Sequence, residues 1–477
     1  MNKKKIVINW FRQDLRIIDN PSLNFASKLK YPILNIFILD EENCDDKQLG
    51  SASKFFLHHS LLNLDNLLNK KLSIFKGCAF EVMKKLNKIY DVKKIVWNRC
   101  YEPWRIKRDI KIKSFFENEG VGVKTFNGSL LWEPWNILKN DQTPYKVFTP
   151  YYRRGCLNYK EPRLPLDSPK LELFIAESKK IEVNELKLLP SKRWDKKLKK
   201  IWDISNKGME NNVKEFFSSG ISNYRDGRNF PEKKNVSRLS PFIHWGLISP
   251  NILWYKCNDL EKKNNDLNID TFKSELGWRE FSYYLLYHFP EMTKKNLQPK
   301  FDKFPWKQSN NNLNKWQKGL TGYPIVDAGM TELWNTGYMH NRVRMIVGSF
   351  LVKNLLIDWR EGEKWFWDCL LDADLASNTA SWQWVAGTGV DAAPYFRIFN
   401  PITQGKKFDE NGRYTKKYLP VLKKLPNKYL FSPWDASPEI LKESKIILGV
   451  NYPFPIVDIK KSRNIALESF SSIKEKK

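Results

Sequence analysis

KIVINWF (5–11), YPILNIFIL (31–39), KLSIF (71–75), KIVWN (94–98) and VKTFN (123–127) are short apolar runs rich in β-branched and aromatic residues. SKFFLHHSLLNLDNLLNK (53–70) and EVMKKLNKIY (81–90), which lie between them, carry helical periodicity. The short runs read as strands buried on both faces. Strands that alternate with helices must lie parallel, because each crossover returns the chain to the same end of the sheet. Residues 1–134 are therefore expected to form a parallel α/β domain. No G-x-G-x-x-G follows the first strand, so the ordinary dinucleotide fingerprint is absent and the fold alone names no ligand. WNRCYEPW (97–104) is polar and aromatic at a carboxyl strand end, where open α/β sheets bind ligands.

Beyond the sheet the character changes. Residues 135–204 hold PYKVFTPYYRR (144–154) and prolines at 162, 165, 169 and 190 among lysines, and read as an extended interdomain connection. From 205 to 477 the patterns are long and helical, as in TFKSELGWREFSYYLLYHF (271–289) and NRVRMIVGSFLVKNLLIDW (341–359). The tail SRNIALESFSSIKEKK (462–477) is charged and expected to fray. No internal repeat is visible.

With 477 residues, 42% of them apolar, the chain has room for two or three cored domains. Lysine and arginine number 81 against 53 acidic residues, and the resulting +28 attracts phosphate polyanions or anionic membranes. Abundant Lys, Asn and Ile suit AT-rich coding, but that bias does not explain why glutamate lags, so nucleic acid is the favoured partner. Ile6–Ile8 is too short for a signal-peptide core, and no run of about 18 apolar residues occurs. A soluble cytoplasmic protein is expected. Six scattered cysteines with no C-x-x-C pair support neither a disulfide framework nor a zinc site.

Residues 320–401 interleave Asn341, Arg342, Arg344, Trp359, Asp372, Asp374, Asn378, Trp382 and Trp384, far more polar and planar groups than an apolar helical core needs. Most of the nineteen tryptophans read as core, yet indoles also serve as base-stacking platforms and one-electron relays. Glu275 shares a helical face with Trp278, and Arg279 lies at i+4; a surface ion pair and a carboxyl lining an aromatic pocket are both open readings. Arg344 with Asp372, Asp374 and Asn378 suits a cofactor ring better than a metal, since histidines are absent there. In NVSRLSPFIHWGLISP (235–250), Ser237 and Ser240 flank Arg238 ahead of Pro241, which fits a capped helix entry or a phosphate site. Tyr224 and Arg228 lie just upstream.

Together these segments resemble the DNA photolyase and cryptochrome family. WFRQDLRIIDNPSL, SRLSPFIHWG, WREF, TGYPIVDAGM, MHNRVRM, LLIDWREGE, DADLASN and DAAPYFRIFNP follow in the family's order across nearly the whole chain. The resemblance implies a Rossmann-like α/β antenna domain followed by an all-α domain that holds a U-shaped FAD, active as FADH⁻. On matching positions Tyr224, Val236, Ser237, Arg238, Leu239, Ser240, Phe272, Arg279, Asn341, Arg344, Asp372, Asp374 and Asn378 would surround the flavin. Val236 stands where threonine is usual and Phe272 where tryptophan is usual, so a hydroxyl and an indole N–H are lost. Trp382, Trp359 and Trp306 match the family's electron-carrying chain. Glu102, in WNRCYEPW, is a possible contact of a methenyltetrahydrofolate antenna.

Within the family the resemblance implies repair of cyclobutane pyrimidine dimers in UV-damaged DNA. Glu275, Trp278, Asn341, Arg342, Met345 and Trp384 match the lesion pocket, where a (6-4) photolyase usually has glutamine at the first position. Asn378 facing the flavin is photolyase-like, and no long carboxy-terminal signalling tail follows, which lowers the cryptochrome alternative. Arg228, Arg342, Arg397 and Gln404 are the expected DNA-backbone contacts. A monomer without an obligate protein partner suffices for one lesion.

Overall fold

The computed structural model describes residues 3–42, 44, 47–176, 181–261 and 266–473. Its sheet is built from β1 (Lys5–Phe11), β2 (Ile33–Leu39), β3 (Ser73–Lys76), β4 (Asp91–Asn98) and β5 (Gly122–Phe126), in the order β3-β2-β1-β4-β5, all parallel. The crossovers are α1 (Pro21–Ser27), α2 (Ser51–Leu67), α3 (Ala79–Ile89) and α4 (Pro103–Asn118). The chain winds outward from β1 to β3, then returns to the other side of β1, so the strand order reverses between β1 and β4. Such a reversal opens a crevice at the carboxyl ends of the strands.

β2 is buried throughout and β1 everywhere except Lys5, as apolar runs without alternation require of central strands. β5 departs from the expectation of burial on both faces: it is an edge strand, half-buried with Lys124 exposed. A lysine on an edge opposes pairing with a second sheet. Trp10 sits opposite Ile36 and Trp97 in the register, and these rings join Ile6, Ile8, Leu34, Ile95 and Phe116 in one core.

The 135–204 segment is less simply extended than its prolines suggest. Leu173–Phe174 forms β6, which continues the sheet by pairing with Ile33 and Leu34 of β2. Pro150–Cys156 is a π-helical turn that buries Tyr151, Tyr152 and Cys156. The aromatic pair wins over the extended prior by burying its rings, with Tyr152 lying against Gly277, where a Cβ would stand 2.6 Å from the ring.

The chain divides into two compact units: Met1–Glu215 with Ser237–Pro290, and Phe216–Val236 with Glu291–Lys477. The second is helical, with Pro324–Thr336, Asn341–Ser349, Trp359–Cys369 and Leu375–Ala386 around a core that includes Val343, Val347, Trp316, Trp359, Phe366 and Trp382. The expected fraying of the tail is corrected for 462–473. Ile459–Ser472 is a helix capped by Asp458, Ala466 is fully buried, and Phe470 stacks on Tyr395 at 4.7 Å. Its charges occupy one face while small and aromatic residues dock the other. Residues 474–477 lie outside the described residues. No described helix is long and apolar enough to cross a membrane.

Candidate functional site

In the first unit the site residues stand on the 22-residue helix Leu267–His288, whose amino end is closed by Asp266 accepting the Asn268 N–H at 2.8 Å. Phe272, Glu275 and Arg279 recur at i, i+3 and i+7 and so share a face, with Trp278 one turn beyond Glu275. Phe272 is buried; Glu275, Trp278 and Arg279 are half-buried. Trp278 does not stand alone. Its ring stacks on Phe148 at 3.8 Å and 12°, and Phe148 in turn lies parallel to Tyr152 at 5.5 Å. One face of the indole is thereby occupied and its orientation fixed. Sequence reasoning missed Phe148, although KVFTPYY places an aromatic cluster there that a purely extended connection has no use for.

Arg238 has φ +53, a left-handed conformation that costs a β-bearing residue about 1–3 kcal/mol. Leu239 follows in the right-handed region. That succession turns consecutive backbone N–H groups toward one side, the pattern of an anion-binding nest. The short helix Ser240–His244 begins with Leu239 as N-cap and no side-chain cap bond, so of the two open readings the serine-capped helix entry is not formed. Ser237 instead accepts the Leu239 N–H at 3.4 Å, and the Arg238 guanidinium lies 4.6 Å over Trp202. The left-handed turn at Arg238, with a helix start that no side chain caps, fits an anion-binding nest.

The second unit brings together Arg344 and Asp372. Arg344 donates to both carboxylate oxygens of Asp372, at 2.9 and 3.2 Å, and to the Met339 carbonyl at 2.8 Å. Burial alone would lower the Arg344 pKa, but Asp372 outweighs it and the guanidinium is held above its usual value. It is a fixed cation suited to an anionic ring. Asp374 caps Leu375–Ala386 by accepting the Ser377 N–H at 2.7 Å, and Asn378, one turn on, donates to the Glu363 carbonyl at 3.0 Å. Both are buried, which requires such partners.

His340 caps Asn341–Ser349 by accepting the Arg342 N–H at 3.2 Å. Burial, then the charges of Arg342, Arg344 and Arg228, push its pKa down to about 3, so it is a neutral cap at any physiological pH. Asn341 is exposed at the helix start. Arg342 is threaded between Asn229, Met345 at 3.7 Å and the Phe408 ring at 4.4 Å, and burial followed by the nearby Arg228 lowers its pKa. Arg228 lies 5.6 Å over the buried Tyr224 ring. Gln404 is half-buried on Pro401–Phe408 and Arg397 is exposed. Val236 is half-buried, as is Trp384 against the helical core.

Three tryptophans grade from inside to outside: Trp382 and Trp359 are buried, Trp306 half-buried. Gly362, one turn from Trp359, is the position against which the Trp382 ring lies, so closely that a Cβ would overlap it. Trp359 donates its Nε1–H to Asn296 at 2.9 Å, and Trp306 packs on Phe304 at 4.4 Å. Trp316, fully buried 6.2 Å from Trp382, was not singled out from the sequence, since nothing in its polar surroundings distinguishes it.

At the sheet, a small open crevice lies over the carboxyl ends of β1 and β2 and the start of α4, lined by Arg12, Gln13, Asp40, Trp104, Arg105 and Arg108 among others. Glu102 does not line it but holds two residues that do, accepting from Gln13 at 3.1 Å and pairing with Arg105 at 3.3 Å. Guanidiniums lie 4.7 and 5.1 Å over the Trp104 ring. An indole framed by cations suits a flat anionic guest. Among the described residues no group of three or more His, Cys, Asp or Glu is placed to hold a metal ion.

Comparisons with known proteins converge. Residues 7–170 match the model of the DNA photolyase family, and residues 272–472 match that of the FAD binding domain of DNA photolyase. The chain is 42% identical to a deoxyribodipyrimidine photo-lyase of Agrobacterium fabrum, with 98% of each chain covered. It is 34% identical to cryptochrome-2 of Arabidopsis thaliana over all of this chain and 80% of that protein. The crystal structure of a bacterial class III photolyase from Agrobacterium tumefaciens superposes with a TM-score of 0.94 at 42% identity, covering 100% of this chain and 98% of that one.

Proposed function

The chain belongs to the DNA photolyase and cryptochrome family, and we propose that it is a light-dependent lyase that splits cyclobutane pyrimidine dimers in UV-damaged DNA. The observation that carries this reading is the fixed indole of Trp278, stacked on Phe148 one turn from Glu275. It supplies an apolar shelf beside a carboxyl group, which is what a flat, carbonyl-bearing lesion requires.

FAD is the cofactor. Its diphosphate would be held at the Ser237, Arg238, Leu239 and Ser240 nest with Tyr224 and Val236, and its rings by Phe272, Arg279, Asn341, Arg344, Asp372, Asp374 and Asn378. In reduced form it supplies, when bound, the photoexcited one-electron donor. The Arg344–Asp372 pair keeps a positive charge at the ring that favours its anionic state, and the Asn378 amide offers hydrogen bonding to a ring nitrogen.

The protein's own residues do the rest. Arg228, Arg342, Arg397 and Gln404 bind backbone phosphates and orient the duplex. Photolyases are among the base-flipping enzymes, and an already poorly stacked dimer leaves the helix at reduced cost. Trp278 and Trp384 cover its apolar faces, Met345 and Asn341 fill the remaining edge, and the O–H of a protonated Glu275 donates to a pyrimidine carbonyl as negative charge develops there. Trp306, Trp359 and Trp382 carry an electron inward when the cofactor has become oxidised. The crevice around Trp104 is the proposed seat of a methenyltetrahydrofolate antenna, with Glu102 holding its walls.

The test is light-dependent loss of a single cyclobutane thymine dimer from an oligonucleotide, run with reduced protein beside a (6-4) lesion and a dark control. Loss of the cyclobutane lesion alone is the expected result. Bound flavin with repair of neither lesion would favour a photoreceptor, the reading that similarity to a plant cryptochrome over the full chain keeps alive.

A further inference from the structure

Next to Arg279 the Leu267–His288 helix carries a carboxylate that the proposed chemistry leaves unused. Glu280 is 1% exposed. Its Oε2 accepts the backbone N–H groups of Leu131 at 2.7 Å and Trp132 at 3.3 Å, and its Oε1 accepts Nη1 of Arg279 at 2.9 Å. Consecutive helical residues point in different directions. Arg279 therefore meets Glu280 only by turning its guanidinium along the helix, where it also lies 4.8 Å over the Tyr283 ring. Anchoring the loop that follows β5 would need only Oε2. The second oxygen holds the arginine.

We propose that Glu280 is the positioning residue of Arg279: fixed by the Leu131 and Trp132 N–H groups, it holds the guanidinium in the one orientation that meets the flavin. The inference rests on Arg279 being a flavin contact, as read above. Charge-assisted bonds of this kind are strong and directional, so losing the carboxylate frees a side chain with many rotamers.

The surroundings make the arrangement testable by pH. Burial pushes the Glu280 pKa up to about 7, against the opposing pull of Arg279 and the two loop N–H groups. Facing it from the π-helical turn are Tyr151 and Cys156, both pushed up by burial and so neutral near pH 7. Arg16, buried and hydrogen-bonded to the carbonyls of Asp19, Gly128 and Gly246, is a second cation close enough to repel Arg279. Glu280 is thus the group in this set that changes charge around neutrality. Above its pKa the carboxylate clamps Arg279; below it the protonated acid competes poorly for the guanidinium.

The experiment is equilibrium FAD binding to the full-length chain, read by flavin fluorescence between about pH 6 and 8.5, for the wild type, Glu280→Gln, Glu280→Asp, Arg279→Gln and the Glu280→Gln/Arg279→Gln double variant. Wild-type affinity should weaken about tenfold as pH falls through 7, and Glu280→Gln should be about tenfold weaker at high pH and insensitive to pH, the worth of one charged hydrogen bond. Glu280→Asp should retain pH dependence. In the Arg279→Gln background Glu280→Gln should change nothing further. An equal loss from Glu280→Gln in both backgrounds, or pH dependence that survives it, overturns the proposal alone. Unchanged binding in Arg279→Gln removes Arg279 from the flavin site and the proposal with it. Should Glu280→Gln fail to fold, a wild-type affinity flat across this pH range is overturning by itself.

Discussion

At the scale of single residues, the strongest expectation concerns Glu275. Glu275→Ala should lower the repair yield per photon at least severalfold while leaving FAD bound, because a hydrogen-bond donor is lost where negative charge develops. Repair yield and flavin absorbance measured on the same sample decide it, and unchanged repair removes the assigned role. Trp382→Phe should block photoreduction of the oxidised cofactor yet spare repair by protein that is already reduced, since phenyl rings are far harder to oxidise than indoles. A variant that photoreduces at the wild-type rate takes Trp382 out of the chain. Both side chains stand out in the sequence, Trp382 among polar and planar groups that an apolar helical core does not need, and Glu275 one turn from Trp278, where a surface pair and a pocket carboxyl are both open readings. Phe148, Glu280 and Trp316 do not stand out. A phenylalanine, a glutamate and a tryptophan each have an ordinary structural reading, and only the 3.8 Å stack and the three bonds to one buried carboxylate set the first two apart.

Elements carry the next set of consequences. The Trp359–Cys369 helix presents Gly362 to the flat of Trp382, and adding a methyl there must push the indole away. Gly362→Ala should therefore destabilise the protein by about 1–3 kcal/mol, the usual cost of overpacking, despite the better helix propensity of alanine. It should also slow photoreduction through the displaced ring. Denaturant unfolding and flash photoreduction on one preparation check both parts, and normal values for both would mean the ring tolerates the methyl without moving. The sheet was readable because uninterrupted apolar runs leave a buried parallel strand little alternative. β6 was hidden by its two-residue length, and the π-helical turn at Pro150–Cys156 by prolines that favour extended chain. The carboxy-terminal helix was masked by composition: its charges fall on one face in the fold, which frees Ala466 and Phe470 to dock.

For the whole molecule the formal charge of +28 sets the expectation. Affinity for lesion DNA should fall linearly on a logarithmic salt axis, with a slope of about −0.9 for each phosphate neutralised. Arg397→Ala should make that slope shallower by about one while leaving stability within about 0.5 kcal/mol, because the side chain is exposed. Salt titrations of wild type and variant against the same damaged oligonucleotide check this, and parallel lines would remove Arg397 from the interface. Charge and motif order were readable without coordinates. The assignment of chain to compact unit was not, because Phe216–Val236 belongs with Glu291–Lys477 while Ser237–Pro290 returns to the first unit, and no composition shift marks either crossing.

That interleaving governs how the chain can be made. A ribosome releases the sheet first, yet the unit it belongs to stays unfinished until residue 290 has emerged, since the Leu267–His288 helix supplies the carboxylate that receives the Leu131 and Trp132 N–H groups. Residues 216–236, which hold the short helix Tyr224–Gly227, must meanwhile wait for the rest of the second unit to be synthesised. Nascent chains of intermediate length are the vulnerable species, open to aggregation in a way the finished protein is not.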